Sequence, residues 1–144
     1  MNRGGDGVGR VTADMELVNN RELQMAEGGT RPRDKVRRTR LRGVVDSGAT
    51  YLVLPEAVVR QLGLPSKGQM AVRFADGRRD TRELVEQARV EFLGRQSTFD
   101  AVVGPNRSDA LIGAIVLEVL DLLVDCGTQT LVPRGPNGIF AEIE

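Results

Sequence analysis

Asp46 is the residue whose type and surroundings most favour chemistry in this chain. It follows two valines and precedes Ser47 and Gly48. The valines predict the end of a buried strand, and glycine permits the tight turn that would expose the neighbouring carboxylate. Residues 51–54 are again apolar and β-favouring. The segment therefore predicts strand, loop and strand, with the Asp46 carboxylate at the apex and available for acid–base catalysis.

The same three residues are also typical of an ordinary turn. Asp and Ser side chains hydrogen-bond to their own backbone, and Gly adopts positive φ. The apolar segments on both sides favour the catalytic interpretation, because a solvent-facing turn seldom lies between two runs that both look buried. On these residues alone, both interpretations stay open.

The composition restricts the possible chemistry. The chain has no histidine and a single cysteine, Cys126. Ser-His-Asp and Cys-His catalysis are therefore excluded, as are an internal disulfide and a thiolate zinc site. We expect no metal and no cofactor, and carboxylates as the acid–base groups of any enzyme. Cys126 is expected to be a turn residue rather than a nucleophile, because no basic residue adjoins it.

Length and charge predict one neutral, β-rich domain. The 144 residues suffice for a single core, and 20 basic residues balance 20 acidic ones. Aromatic residues make up 3% of the chain, so Val, Leu and Ile must build the core, which favours strands. We expect a flexible lead-in with four glycines over residues 1–10 and one domain over residues 11–144. In the absence of a leader or a long apolar run, a cytoplasmic location and no membrane contact are expected.

Around the Asp46 loop the sequence predicts mostly strands. Alternating apolar and polar residues over 11–17 predict a half-buried strand, residues 21–27 fit a short helix or a loop, and residues 55–63 predict a short helix. Further elements follow in chain order: strand 69–74, hairpin turn 75–77, return strand 80–93, turn 94–97, strand 98–103, strand then helix 110–120, and a hairpin of 122–125 with 130–133. Residues 139–143 fit a terminal strand or a frayed tail.

A basic run covers residues 31–42, with seven basic residues against Asp34 as the one acid. Such a run can contact nucleic acid, but it contains no aromatic residue on which a base could stack. Interleaved apolar residues instead favour a strand whose outer face carries solvated arginines. We therefore expect no nucleic-acid partner.

The hairpin of residues 69–93 is charged along its return strand and should project into solvent. Two interpretations remain for it. It is either a mobile cover over a binding site or an ordinary surface hairpin.

The order of these motifs resembles one known family. An apolar strand is followed by the sequence D-S-G-A and then by a helix ending in L-G-L. Next come a hairpin with A-D-G at its tip, the segment A-L-I-G before a second helix, and the segment L-L-V-D-C. Over residues 36–134 this combination is similar to the retropepsin-like aspartic proteases of clan AA, and to stand-alone cellular members more than to viral ones. The resemblance implies an all-β fold, a retropepsin-like single-domain closed β-barrel with one or two short helices and a flap hairpin.

The resemblance also implies a function and roles for individual residues. Asp46 would be catalytic, and its loop would be supported by Ser47, Gly48, Ala49, Ile112 and Gly113. The residues Ala75, Asp76 and Gly77 would form the substrate-binding tip of the flap. Such sites use two aspartates that share a proton and activate water. Because this chain has one D-S-G loop, a peptide-hydrolysing site would need a homodimer with one Asp46 from each copy.

The chain departs from the viral pattern at two places. Ala114 and Ile115 replace the arginine and the aspartate or asparagine that usually follow the glycine of the A-L-I-G segment, and the flap tip is polar rather than glycine-rich.

The terminal segments 11–17 and 139–143 would serve as dimer strands. An alternative function is a non-catalytic peptide-binding or dimerisation module with the same fold.

Overall fold

The computed structural model describes residues 10–143. Residues 1–9 and 144 lie outside this range, and with them most of the predicted lead-in. The strands are β1 Thr12–Asn19, β2 Arg38–Val45, β3 Leu52–Pro55, β4 Ser66–Arg73, β5 Arg79–Phe92, β6 Arg95–Gly104, β7 Ala110–Ile112, β8 Leu122–Asp125 and β9 Thr130–Pro133. The helices are α1 Asn20–Glu27, α2 Glu56–Leu62 and α3 Ala114–Val119, with a 3-10 turn at Arg33–Lys35.

Six strands form a closed barrel in the order β1, β2, β7, β3, β6, β5, and the pairing of β5 with β1 closes the ring. Strands β2 and β7 run parallel, as do β3 and β6, while β8 and β9 form a separate two-stranded sheet. The predicted closed β-barrel is confirmed. Its parallel pair β2 and β7 brings the end of β2, which leads into Asp46, beside Ile112.

Strand β5 belongs to two parts of the molecule. Its first half pairs with β4 in an exposed hairpin, and its second half pairs with β6 and β1 inside the barrel. A bulge between Val85 and Ala88, with Gln87 at φ 68°, separates the two halves. The predicted hairpin is confirmed, and its projecting half continues directly into a barrel strand.

The core is aliphatic, as the shortage of aromatic residues predicts. Fully buried side chains include Leu17, Leu52, Leu54, Leu62, Ile112 and Leu120. Each such side chain contributes about 1.5–3 kcal/mol to folding by leaving water. These residues come from both ends of the chain, and the barrel shares this core with α2 and α3. Helix α1 packs in a second, smaller cluster of Val18, Ala26 and Val36.

The helices begin and end at residues suited to those positions. The Asn19 side chain accepts a hydrogen bond from the Glu22 amide at 3.0 Å, which caps α1 and makes residues 20–27 a helix rather than a loop. The Asn19 amide also donates to the Leu62 carbonyl at 2.8 Å, joining α1 to the end of α2. Gly63 ends α2 at φ 65°. None of the helices in residues 10–143 has the length and apolar character needed to cross a membrane.

The turn predicted for residues 94–97 is shorter than expected. Leu93 and Gly94 form it alone, at φ 52° and 77°, and Phe92 pairs directly with Arg95. Two positive φ values in a two-residue loop match the twist of the strands that it joins. Residues 95–97 therefore begin β6 instead of completing a turn.

The terminal segments differ from the dimer strands suggested by the family resemblance. Strand β1 lies in the barrel wall, paired with β2 from Thr12 to Val18 and with β5 from Glu16 to Asn19. Residues 139–143 form no strand. The Phe140 amide instead donates to the Asp121 carboxylate at 3.2 Å. This amide is therefore not free to donate a hydrogen bond to the strand of a partner.

The segment before residue 139 is held by the buried side chain of Arg95. Its guanidinium donates to the carbonyls of Leu120 and Asp121, and also to those of Gly135 and Gly138. A buried charge requires such partners, because an isolated one is costly in an apolar interior. Arg95 therefore attaches the C-terminal segment to the barrel.

Glu22 neutralises part of the basic run. Its buried carboxylate accepts from the Arg37 guanidinium, from the Arg37 backbone amide at 3.0 Å and from Arg31 at 3.0 Å. Arg38 pairs with Glu16 at 3.1 Å. Three of the seven basic residues in this run thus bind acids of α1 and β1, and the run fastens α1 to the beginning of β2.

Replacing Glu22 by glutamine is expected to lower the free energy of unfolding at pH 7 by about 2 kcal/mol, because charge-assisted hydrogen bonds are lost. The Arg37 side-chain hydrogen bond, opposed by burial, holds the pKa of Glu22 below its usual value of 4.5. The folded protein thus binds fewer protons, and the stabilisation is complete above pH 4.5 and lost as the pH falls through the lower folded pKa. Urea unfolding at several pH values measures both effects.

Glu27→Gln is the matched control, since Glu27 is exposed on the same helix. It should change the free energy of unfolding by no more than about 0.5 kcal/mol. Equal pH dependence in the parent and the Glu22→Gln variant would contradict the proposed effect of Glu22.

Candidate active site

The Asp46 loop is held by its own backbone and by β7. The Asp46 amide donates to the Ile112 carbonyl at 3.0 Å, and the Ala49 amide donates to the Asp46 carbonyl at 3.0 Å. One carboxylate oxygen, Oδ1, accepts from the Gly48 amide at 3.0 Å. The Asp46 side chain is exposed at the end of β2. The loop is thus fixed at its backbone, while the second carboxylate oxygen has no partner among the described residues.

The first residues of α3 support the same loop from below. The Ala114 amide donates to the Ala49 carbonyl at 2.8 Å, and the Ile115 amide donates to the Thr50 carbonyl at 3.0 Å. Both contacts use backbone groups only. The replacement of the usual arginine and its neighbour by Ala114 and Ile115 therefore leaves these two hydrogen bonds to the loop in place.

Two glycines permit the close packing of this region. A Cβ atom on Gly113 would lie 2.3 Å from the Tyr51 carbonyl oxygen and 2.8 Å from that of Thr50. A Cβ atom on Gly43 would lie 2.6 Å from Cδ1 of Ile112. Gly113 thus permits a close backbone approach, and the approaching backbone is that of the Asp46 loop.

A cavity of about 560 Å³ lies beside the loop. Its floor includes Gly48 and Ala49, and strand β4 forms one wall. The β6–β7 loop, residues 105–109, contributes further lining residues, among them Arg107. Asp46 itself is not among the lining residues, which begin two positions later at Gly48. Because the space lies between a projecting hairpin and the fixed Asp46 loop, an extended chain can enter it next to that loop.

The hairpin over the cavity has a structured tip. Gly77 adopts φ 90°, and the Arg78 guanidinium donates to the Asp76 carboxylate at 2.8 Å. This hydrogen bond holds the pKa of Asp76 below its usual range. The guanidinium groups of Arg78 and Arg82 lie 4.7 and 5.4 Å from the centre of the Phe74 ring. Salt bridges and cation–π contacts therefore shape a tip in which Gly77 is the one glycine.

The predicted site residues fall into two groups. The structure brings the Asp46 loop together with Ile112 and Gly113. The predicted tip residues Ala75, Asp76 and Gly77 form the turn of the hairpin, but the cavity is lined by residues 70–73 of β4 and by Phe74. Their role in substrate binding stays a prediction.

Sequence reasoning missed three residues at the cavity: Phe74, Arg82 and Arg107. Alternation along the hairpin places Phe74 and Arg82 on the same face, which the strand pattern alone could have indicated. Arg107 lies in a Pro-Asn-Arg loop. Its place beside the cavity depends on how β6 and β7 pack, for which the sequence carries no local signal.

The loop of the candidate site contains one exposed carboxylate, that of Asp46. The Asp125 carboxylate, in the sequence that comes nearest to a second D-S-G, accepts from the amides of Gly127 and Thr128 at 2.9 and 3.2 Å. Asp125, at the end of β8, therefore holds the β8–β9 turn of residues 126–129, which includes the exposed Cys126, as predicted. Residues 10–143 contain no group of three or more His, Cys, Asp or Glu residues placed to hold a metal ion.

Comparison with protein families gives one match. A family described as aspartyl protease matches residues 34–116, which include the Asp46 loop, the hairpin and Gly113. No curated protein sequence is significantly similar to this chain.

Comparison with solved structures finds viral proteases, and one of them, the EIAV protease, shows the same fold. The EIAV protease in complex with an inhibitor has a TM-score of 0.54 at 17% identity, over 76% of this chain and 86% of its own. The simian foamy virus protease has a TM-score of 0.44 at 20% identity, over 55% and 81% of the two chains. A foamy viral protease–reverse transcriptase has a TM-score of 0.46 at 19% identity, and the match covers 55% of this chain but only 10% of that protein.

Proposed function

This chain belongs to the aspartyl protease family, and we propose that it hydrolyses peptide bonds as a homodimer with one Asp46 from each copy. The observation that carries the proposal is the exposed Asp46 carboxylate on a loop fixed by Ile112 and α3, whose next residues Gly48 and Ala49 line a cavity. Catalytic groups must be held in place while they remain accessible, and this loop meets both needs.

Two carboxylates are needed because their roles differ. In such a pair, repulsion keeps one group protonated, so that one removes a proton from water while the other donates a proton to the substrate. The chain supplies one such loop and no histidine. A second copy related by twofold symmetry supplies the other carboxylate.

The free surface of the chain supports a second copy. The exposed apolar side chains of Val119, Leu123 and Val124 lie at the end of α3 and on the neighbouring strand β8. The Ser47 hydroxyl makes no hydrogen bond within residues 10–143 and is available to brace the opposite loop. An extended protein segment then lies in the cavity beside β4, where main-chain hydrogen bonds can hold it as an added strand.

Mixing active and inactive copies tests the two-chain site. Asp46→Asn chains mixed in equal amount with parent chains, at constant parent concentration, should lower the activity to about half once subunits exchange, because half of the parent chains then sit in mixed dimers. A fluorogenic peptide assay before and after exchange measures the loss. Gel filtration of both proteins checks that each forms dimers.

Dilution provides the control. Activity per parent chain should fall as the protein is diluted below its dimer dissociation constant. A chain that cleaves peptides at full activity while it sediments as a monomer, and that is insensitive to added Asp46→Asn chains, would contradict the homodimer proposal.

A further inference from the structure

The cavity beside the Asp46 loop has a strong excess of basic side chains. Three arginines, Arg73, Arg82 and Arg107, line it, and none of its described lining residues is an Asp or a Glu. The whole chain, by contrast, has equal numbers of basic and acidic residues. The charge of the cavity is therefore a local feature of the fold.

Two of these arginines do not present a free charge to the cavity. Arg73 lies between Val72 and Phe74, which are half-buried, and its own exposed position places its side chain on the outer face of the hairpin. Arg82 forms a salt bridge with Asp80 and stacks on Phe74. The charge of Arg82 is thus largely compensated within the hairpin.

Arg107 differs from both, because its side chain is oriented but its charge is not compensated. Its Nε donates to the Asp109 carbonyl at 3.0 Å. None of the salt bridges of the described residues includes Arg107. Its stem lies across Gly104, where a Cβ atom would be 2.7 Å from Cδ of Arg107. The terminal nitrogens have no described partner, and they form the flat fork that binds a carboxylate with two hydrogen bonds.

We propose that Arg107 is a specificity-determining residue that binds an acidic side chain of the peptide in this cavity. The remaining lining is largely apolar, with Val53, Met70, Val102 and Leu111 among its residues. The occupant is therefore an extended segment with apolar side chains and a Glu or Asp against the β6–β7 loop. This inference rests on the proposed function for the identity of the site, but its test does not require cleavage.

The test measures binding to the Asp46→Asn variant, in which a peptide stays intact. Probes are end-blocked neutral peptides of about eight residues, long enough to span a strand-binding groove. In separate peptides, each position in turn is replaced by Glu, by Gln or by Lys. Calorimetry gives the dissociation constant of each peptide. At one position Glu should bind about tenfold more tightly than Gln, as one charge-assisted pair permits. The preference should weaken in about 1 M salt, where the Debye length is about 3 Å.

Charge reversal at Arg107 identifies the residue responsible. The Arg107→Glu change in the Asp46→Asn background should make Lys the preferred residue at that same position. Arg33→Glu is the matched control, because it makes the same change in net charge on the exposed 3-10 turn outside the cavity. This variant should keep the preference for Glu. Equal binding of Glu and Gln peptides at every position, or the absence of peptide binding, overturns the proposal. Failure of the proposed protease function would be seen in a separate result, because the parent protein would then cleave no peptide.

Discussion

Replacement of Asp46 by asparagine is expected to lower kcat/KM for peptide cleavage by about a thousandfold or more, since acid–base catalysis by a positioned group typically contributes 10²–10⁴. Asparagine has nearly the same size and can still accept the hydrogen bond that the Gly48 amide donates to Oδ1. It cannot remove a proton from water. The backbone contacts of the loop with Ile112 and α3 do not involve this side chain.

The variant should therefore fold and dimerise as the parent does. Thermal unfolding and sedimentation check these properties, and a fluorogenic peptide assay measures the lost activity. Asp125→Asn is the matched control, because Asp125, the last residue of β8, makes the same kind of carboxylate-to-amide contact with the β8–β9 turn. Parent-like cleavage by the Asp46→Asn variant would exclude Asp46 as the catalytic group and favour the non-catalytic peptide-binding module.

Replacement of Gly113 by alanine is expected to lower the free energy of unfolding by about 3 kcal/mol, at the upper end for overpacked sites. The added methyl group would lie 2.3 Å from the Tyr51 carbonyl oxygen, which is far inside contact distance. Both neighbouring groups are backbone, so neither can rotate away. Relief requires movement of α3 away from the Asp46 loop, which breaks the hydrogen bonds from Ala114 and Ile115.

Because the same movement displaces the loop, activity per folded chain should also fall. Urea unfolding measures the stability, and the peptide assay under native conditions measures the activity. Gly28→Ala is the control with the same added methyl group, since its nearest neighbour lies 3.4 Å away and its φ is −83°. A Gly113→Ala variant as stable and active as the Gly28→Ala variant would show that the loop does not depend on this contact.

The sequence predicted the elements whose signals are local. The valines before Asp46, the glycine after α2 and the Asp-Gly turn of the hairpin each specify backbone geometry within a few residues. Gly113 was found for the same reason, because it interrupts an apolar segment at the change from strand to helix. These local elements position most of the proposed active loop.

The features that the sequence did not predict depend on long-range contacts. The barrel closes because residues 16–19 pair with residues 88–91, and neither segment indicates its partner. The basic run gave no sign that Arg37 binds the buried Glu22 fifteen positions earlier. Likewise, Arg107 lies beside the cavity only because β6 and β7 pack against β3. Charged residues carry no periodic signal that would identify such partners.

The contacts of Arg95 also set an order of events during synthesis. Its acceptors at Gly135 and Gly138 are made 40 and 43 residues after it. At a translation rate of roughly 5–20 residues per second, they follow Arg95 by about 2–9 s. Until then the guanidinium lacks half of its four carbonyl acceptors and stays in contact with water. The nascent chain can therefore complete the contacts of Arg95, at the beginning of β6, only after residue 138 has left the ribosome.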